Sequence, residues 1–301
     1  MRATAPTFFT LAIVAAQVLA QGPVQQQGFR AEKPFKTGVE IISITATVFD
    51  PEGHLVTGLG REAFEVFEDG EKQTITAFTS ERVPIGLGLL LDASDSMYGK
   101  RIHDARAAVH RFLFDLLDAA DEFFLFAFNH RPWPLTAWTR GQMEVERALD
   151  ATIPSGGTAI YDAVLESLPL MARRTRQRAA ILVISDGADT ASTASVRDVK
   201  SALLRSDAFV YAIAIDSPER QAINTRVNAD TLREITNDSG GRTEVVHGSE
   251  ELADATARIA QELNSQYVLG YSSTHQPDGR FHSIRVRAAG CRVNARRGYV
   301  R

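Results

Sequence analysis

The sequence predicts an α/β fold, with a doubly wound, mostly parallel sheet that carries helices on both faces and a small antiparallel β layer beside it. From Pro84 onward, uniformly apolar runs alternate with segments of helical periodicity, a pattern typical of strands buried between two layers of helices. The segments on either side, 37–80 and 267–301, instead show alternation and turn residues typical of antiparallel strands. Contents of 44% hydrophobic and 23% charged residues exclude a wholly disordered chain.

The first residues resemble an export signal. Arg2 precedes an apolar stretch from Phe8 to Ala20, which ends in small residues and is too short to cross a membrane as a helix. We therefore expect residues 1–20 to be a signal peptide, 21–36 to be a flexible linker, and the mature protein to be periplasmic or secreted. We expect no membrane span in the mature chain, because no later segment is apolar for long enough.

The segment 37–80 is predicted to be a β unit. Apolar and polar residues alternate over 44–48, a turn follows at 50–53, and the Asp-Gly pair at 69–70 indicates a β-hairpin. The tail, 267–301, adds about three short strands, which would be marginally stable alone. We therefore expect the tail to join the first unit in one β layer.

The α/β unit, 84–266, is expected to lie between these two flanks as an inserted domain. Its strand candidates are Ile85–Asp92, Glu122–Asn129, Ala179–Asp186, Ala208–Asp216 and Thr243–His247. A first helix is predicted from the apolar spacing of Ile102 through Leu117. Further helices are predicted at 142–150, 158–173, 195–206, 229–238 and 249–265.

Oxygen-bearing side chains gather where the strands of this unit end. Asp92 and Asp186 terminate two strands, Ser94 and Ser96 follow the first, and Thr158 follows two glycines. Ligands of open parallel sheets bind beyond the carboxyl ends of the strands. Two carboxylates and three hydroxyls form an all-oxygen set, which suits a hard cation such as Mg²⁺, Mn²⁺ or Ca²⁺. Because hydroxyls are neutral, a bound cation would keep enough charge to attract an anionic group of a partner.

The sequence resembles the von Willebrand factor type A family and its metal-ion-dependent adhesion site (MIDAS). DASDS at 92–96 matches the DxSxS motif, SGGTAIYDA contains the separate threonine, and ISDG contains the distal aspartate. The flanking segments also resemble those of exported bacterial proteins related to this family. At one position the motif differs, because Asp95 stands where many members have glycine.

This resemblance implies a site in which Ser94, Ser96 and Thr158 ligate a divalent cation through their hydroxyls, with Mg²⁺ the first expectation. Asp92 and Asp186 would act through water or orient the ligands. An Asp or Glu of a protein partner would complete the coordination, so the implied role is cation-dependent protein binding, without catalysis.

Several alternatives remain open from the residues alone. Asp92 and its serines could cap a helix, or a metal could brace a structural or assembly scaffold. A metal-dependent hydrolase is a more distant alternative, since Ser94 stands where a second catalytic acid would be needed. A net charge of −4 argues against a nucleic-acid partner. Asp189 and Asp216 are interpreted as turn residues, Cys291 as a small buried side chain, and the C-terminal arginines as a solvated strand face.

Overall fold

A computed structural model describes residues 41–186, 189–215, 229–273, 275 and 278–300. The predicted signal peptide and linker lie outside these residues, as does Asp216.

The described elements follow the predicted plan, with strands at both ends and a mixture of strands and helices between them. The first part contains β1 (Ile41–Phe49), β2 (Phe64–Glu68), β3 (Glu71–Gln73), β4 (Ile75–Thr79), β5 (Ile85–Asp92), α1 (Lys100–Arg111), β6 (Glu122–Phe128), β7 (Pro132–Pro134), α2 (Gln142–Asp150) and α3 (Ile160–Met171). The second part contains β8 (Arg178–Ser185), α4 (Val196–Leu203), β9 (Phe209–Ile215), α5 (Ala229–Ser239), β10 (Thr243–Val246), α6 (Ser249–Asn264), β11 (Tyr267–Ser272), β12 (Phe281–Ala288), β13 (Arg292–Ala295) and β14 (Gly298–Val300). A π-helical turn, Phe112–Leu116, extends α1.

The central sheet has six strands in the order β10-β9-β8-β5-β6-β7, all parallel except β7 at one edge. Alternate side chains of β5 enter different cores. Leu87, Leu89 and Leu91 pack with α1, α2 and α6, whereas Leu90 packs with α3, α4 and α5. This two-sided burial explains why the strands are uniformly apolar and confirms the predicted doubly wound α/β fold.

Position 88, at the centre of β5, requires glycine because of the neighbouring Phe124 on β6. A Cβ atom built on Gly88 would lie 2.5 Å from Cζ of Phe124, closer than two carbon atoms can approach. The missing side chain therefore makes room for the Phe124 ring in the core.

The flanking segments form two antiparallel sheets, where the sequence predicted a single layer. One sheet has the order β13-β1-β11-β4 and the other β14-β12-β2-β3, so each combines strands from before and after the α/β unit. Ile44 and Leu269 of the first sheet share one apolar core with Val66 and Ile284 of the second. The correction has a simple cause: both sheets alternate apolar and polar residues, and this pattern does not reveal how strands divide between sheets.

The described residues of the tail form four strands, where the sequence predicted about three. Its last ten residues contribute β13 to one sheet and β14 to the other, and the chain changes sheets at Arg296 and Arg297. Arg296 donates to the carbonyl of Ser43 (2.9 Å) and lies over the ring of Tyr299 (5.5 Å to the centroid). The expectation of a solvated arginine face is therefore wrong for Arg296, whereas Arg292 is exposed. Cys291 is half-buried rather than buried.

Hydrogen bonds connect the β-sandwich, which the two antiparallel sheets form around their shared core, to the amino-terminal edge of the central sheet. Arg178, at the start of β8, donates to the carbonyls of Val83 (2.7 Å) and Leu263 and to the side chain of Gln266. Gln266 in turn donates to the hydroxyl of Thr47 on β1 (3.3 Å). The opposite, carboxyl-terminal edge therefore faces away from these connections.

Two local differences bear on the site. Strand β7 was not predicted, because its two prolines cannot donate to a ladder; as an edge strand it tolerates them. Helix α3 begins at Ile160 instead of residue 158, which leaves Thr158 in the preceding loop. Among the described residues, none of the helices combines the length and apolar character needed to cross a bilayer.

Candidate functional site

The two predicted aspartates lie side by side at the carboxyl-terminal edge of the central sheet. Asp92 is the last residue of β5, and Asp186 directly follows β8, the strand that pairs with β5. Both side chains are buried. Because parallel neighbours end at the same edge, the topology alone brings them together.

Asp92 is held by neutral hydrogen-bond donors. One carboxylate oxygen, Oδ1, accepts from the backbone N–H of Ser94 (2.8 Å), and Oδ2 accepts from the hydroxyl of Ser185. Burial raises the pKa of Asp92 to about 7, although the hydrogen bonds from Ser185 and Ser94 oppose this increase. Ser185 was not singled out in the sequence, where it reads as an ordinary strand residue.

The serines connect the two aspartates. The hydroxyls of Ser94 and Ser96 lie 3.0 Å apart, and that of Ser96 donates to Oδ1 of Asp186 (2.6 Å). Four of the five predicted site residues therefore form one continuous hydrogen-bonded cluster.

Arg101, in the first turn of α1, is a site residue that the sequence analysis missed. Its Nη1 donates to Oδ2 of Asp186 (2.7 Å) and to the backbone carbonyl of Ser96 (2.8 Å). Burial raises the pKa of Asp186, and the Ser96 hydroxyl and the Arg101 charge oppose this rise. The position of Arg101 shortly after the DxSxS motif could have indicated this role, because the side chains of a helix point back toward its amino-terminal end and the preceding loop.

Backbone hydrogen bonds join the loop that contains Thr158 to the loop that contains Ser94 and Ser96. The N–H of Asp95 donates to the carbonyl of Gly156 (3.0 Å), and the N–H of Ser155 donates to the carbonyl of Ala93 (2.8 Å). Gly156 has a φ of 76°, which favours glycine and allows the loop to turn sharply before Thr158.

The same loop is also tied to the segment after β8. The carbonyl of Thr158 accepts from the N–H groups of Thr190 (2.8 Å) and Ala191 (3.0 Å), and its own N–H donates to the Thr190 hydroxyl. Asp189 accepts from the N–H of Tyr161 (3.1 Å) and from the side chain of Ser192, consistent with the turn role expected for it. Three loops thus meet around the cluster.

The capping alternative and one neighbouring histidine can be placed in this geometry. Asp92 does not cap α1, because that helix begins at Lys100 after Gly99, and Ser94 makes no side-chain cap to the short 3₁₀ turn that follows it. His130 lies against the Thr158 loop: a Cβ built on Gly156 would be 3.0 Å from its Nδ1.

The donor set fits a hard divalent cation. The cluster offers carboxylate and hydroxyl oxygens only, and the buried carboxylate of Asp92 is paired with neutral donors. A buried carboxylate whose hydrogen-bond donors are neutral favours a nearby positive charge. The positive charge of Arg101 lies against Asp186 rather than Asp92. The residue types of the cluster therefore suit a hard cation, and its two carboxylates lie at the ends of neighbouring strands.

The rim of the site is apolar and exposed at two positions. Tyr98, two residues after Ser96, is 76% exposed, and Ile153, two residues before Ser155, is 75% exposed. Asp95 is also exposed, so its carboxylate adds negative charge to the surface of the site.

Comparisons with known proteins agree with this architecture. The family model of the von Willebrand factor type A domain matches residues 87–188. Inter-alpha-trypsin inhibitor heavy chain H2 from Sus scrofa is 22% identical over an alignment of 198 residues, which covers 61% of this chain and 20% of that protein. The chain thus spans about a fifth of the length of this curated relative.

Solved structures share the fold at low identity. An aerotolerance-related membrane protein from Bacteroides fragilis is 21% identical, with 60% of this chain and 98% of that chain covered and a TM-score of 0.52. Proximal thread matrix protein 1 from the mussel byssus, with a zinc-occupied MIDAS motif, is 14% identical, with 64% of this chain and 48% of that chain covered and a TM-score of 0.53.

Proposed function

Because the chain contains a von Willebrand factor type A domain, we propose that it is an exported protein-binding module whose contact with its partner depends on a divalent cation. Mg²⁺ is the first candidate, and Mn²⁺ or Ca²⁺ would suit the same oxygen ligands. The residues that hold it are Asp92, Ser94, Ser96, Thr158 and Asp186.

One observation carries the proposal: the cluster in which Asp92 and Asp186 are joined through Ser94 and Ser96 at the sheet edge. A buried carboxylate with neutral partners is costly to ionise, and a cation offsets that cost. The mussel byssus protein, which shares the fold, holds zinc in its MIDAS motif. This likeness supports a divalent cation here.

Each residue has a distinct role in this proposal. The hydroxyls of Ser94, Ser96 and Thr158 bind the cation, and the backbone bonds between their loops keep them together. Asp92 and Asp186 orient these hydroxyls and balance the charge. A bound cation supplies a Lewis-acidic position for a carboxylate of the partner.

The exposed rim gives the partner a second point of contact. Tyr98 and Ile153 lie on the two loops that flank the cluster, and both are more exposed than large apolar side chains usually are. We infer that the partner places apolar groups on them, next to its Asp or Glu. An apolar contact beside a charged one adds affinity that does not depend on the cation.

The first test is thermal unfolding of the mature chain in EDTA and in a series of Mg²⁺, Mn²⁺ and Ca²⁺ concentrations. A cation at 100 times its dissociation constant adds about 2.7 kcal/mol to the stability of the native state. We expect this shift in the wild type and its loss in Ser94→Ala and Thr158→Ala. His103→Ala, exposed on α1, is the matched control. The absence of any cation-induced shift in the wild type would refute the metal site.

The second test concerns the partner. Peptides displayed on phage are selected on the immobilised chain in Mg²⁺ and eluted with EDTA. The proposal predicts that selected peptides contain Asp or Glu, and that the Asn or Gln versions no longer bind. If bound peptides survive EDTA and lack acids, the alternative of a metal-braced scaffold, with contacts made elsewhere, is correct instead.

A further inference from the structure

A second group of metal-ligand side chains lies in the β-sandwich, away from the sheet edge that holds Asp92. Asp69, His275 and His282 place one potential ligand atom each within 4.8 Å of one another. Asp69 is in the tight turn between β2 and β3, His282 is on β12, and His275 precedes β12. The group therefore joins segments from before and after the α/β unit.

Asp69 is fixed in position before any ligand is considered. Its φ is 49°, the left-handed conformation of a tight hairpin turn followed by glycine. Its Oδ1 accepts from the N–H of Ser283 (2.7 Å) and from the Ser283 hydroxyl (3.1 Å). Its Oδ2 is turned toward both imidazoles, 2.8 Å from Nδ1 of His282 and 3.6 Å from Nε2 of His275.

Both histidine rings lie next to this oxygen. They stack with centroids 4.5 Å apart and planes 27° apart, so the partly exposed His275 ring must turn for its lone pair to point at an ion held by Asp69 and His282. His282 is buried, with 5% of its surface exposed, and its second nitrogen, Nε2, lies 3.4 Å from Oδ1 of Asp278. Metal-bound histidines commonly donate their other ring nitrogen to a carboxylate, which fixes the ring and increases its basicity. The Asp278 contact is an independent sign of this arrangement.

Two of the three distances between ligand atoms suit one small divalent ion, and all three lie within 4.8 Å. Zinc bonds of about 2.0–2.2 Å in a tetrahedron separate neighbouring ligand atoms by roughly 3.3 Å. The two distances from Asp69 Oδ2, 2.8 and 3.6 Å, bracket this value. Two imidazole nitrogens and one carboxylate oxygen form a softer donor set than the all-oxygen cluster, and it favours zinc over magnesium.

We propose that Asp69, His275 and His282 bind one Zn²⁺, which joins the β2–β3 turn to the segment around β12. The side chains of Asp69 and His275 are 38% and 40% exposed, so the ion reaches the site from solvent and water completes its coordination. Asp69 comes from one flank of the chain and both histidines from the other, so the ion links the two flanks and stabilises the sandwich. This inference is independent of the proposed adhesion site.

The competing interpretation is an imidazolium–carboxylate pair between His282 and Asp69 with no metal. Calorimetric titration with Zn²⁺ separates the two. The parent protein carries Ser94→Ala and Thr158→Ala, which remove hydroxyl ligands from the first site so that it does not mask the second. We expect one Zn²⁺ per chain, no measurable Mg²⁺ binding, and a dissociation constant more than about tenfold higher after His275→Ala. His275 is partly exposed, so this variant is expected to fold.

His54→Ala is the matched control, because His54 also pairs with one aspartate, Asp50, at 3.0 Å. We expect it to leave zinc binding unchanged. On the unmodified chain, Zn²⁺ is expected to shift the imidazole NMR resonances of His275 and His282 together. Absence of zinc binding in the parent, equal binding after His275→Ala, or unshifted resonances of both rings would each overturn the proposal.

Discussion

Protons and cations compete for Asp92, and this competition makes the proposed site sensitive to pH. Burial raises the pKa of this carboxyl to about 7 in the cation-free protein. A cation favours the ionised form, so binding must displace a proton below that pH. About 1% of the carboxyl is ionised two pH units below its pKa and about 90% one unit above it. The apparent dissociation constant for Mg²⁺ is therefore expected to rise about a hundredfold from pH 8 to pH 5.

The pH dependence of stability differs with and without the cation. A carboxyl whose folded pKa exceeds its unfolded value, 3.8, stabilises the folded state fully below pH 3.8, and this contribution disappears as the pH rises through 7. In EDTA the contribution of Asp92 to the free energy of unfolding thus falls toward neutral pH. In Mg²⁺ the cation offsets this fall, so the difference in melting temperature between Mg²⁺ and EDTA is expected to grow from pH 5 to pH 8.

Differential scanning fluorimetry in both buffers across this range measures the effect. Asp92→Asn is expected to show a small cation increment at every pH. His130→Gln is the control, because His130 packs beside the Thr158 loop and the substitution removes an imidazole next to the site. If the wild-type increment does not change with pH, or if His130→Gln removes the change, the assignment to Asp92 is wrong.

Three further predictions concern the core, the sandwich and the rim. Gly88→Ala is expected to lower the free energy of unfolding in a denaturant titration by about 1–3 kcal/mol, because the added methyl group would overlap Phe124. Gly248→Ala, where the space around the added Cβ is open, is expected to have little effect in the same titration. Tyr299→Phe removes a hydrogen-bond donor to the buried Glu68 and is expected to lower the free energy of unfolding in urea by about 1.5–3 kcal/mol. Tyr98→Phe, at an exposed position, is expected to change it by almost nothing, and equal losses in the two variants would contradict the role of Glu68. Tyr98→Ala and Ile153→Ser are expected to weaken the selected acidic peptides several-fold without changing the Mg²⁺ affinity, and a parallel loss of both would show that the rim acts through the metal site instead.

The sequence predicted the central sheet well because burial on two faces leaves a strong signal. The predicted strand Ile85–Asp92 and the predicted helix 142–150 match the structure at both ends. The sandwich was harder, because strand alternation identifies which residues face a core but not which sheet a strand joins. Nothing in the tail signals that the chain changes sheets at Arg296.

The site shows a similar division. Asp92, Ser94, Ser96 and Asp186 could be grouped from the sequence, since parallel topology places strand ends together. Whether Thr158 and the cation complete this site stays a prediction. Arg101 and Ser185 were missed because their roles depend on side-chain direction in three dimensions. The Asp69 group was missed for another reason. Asp69 lies more than 200 positions before the two histidines, so nothing in the sequence brings the three together.

The connection between the sandwich and the amino-terminal edge of the central sheet has a mechanical consequence. The chain enters β5 and leaves α6 at that edge, while the proposed partner is held at the opposite edge. A pull between partner and sandwich therefore acts along the strands. Such a force loads the hydrogen bonds of β5 with β6 and β8 in shear, and the register of β5 and β6, from Gly86 with Glu122 to Asp92 with Phe128, lets many bonds resist at once. With the partner at the proposed site, tension would therefore be shared by the parallel hydrogen bonds of three neighbouring strands.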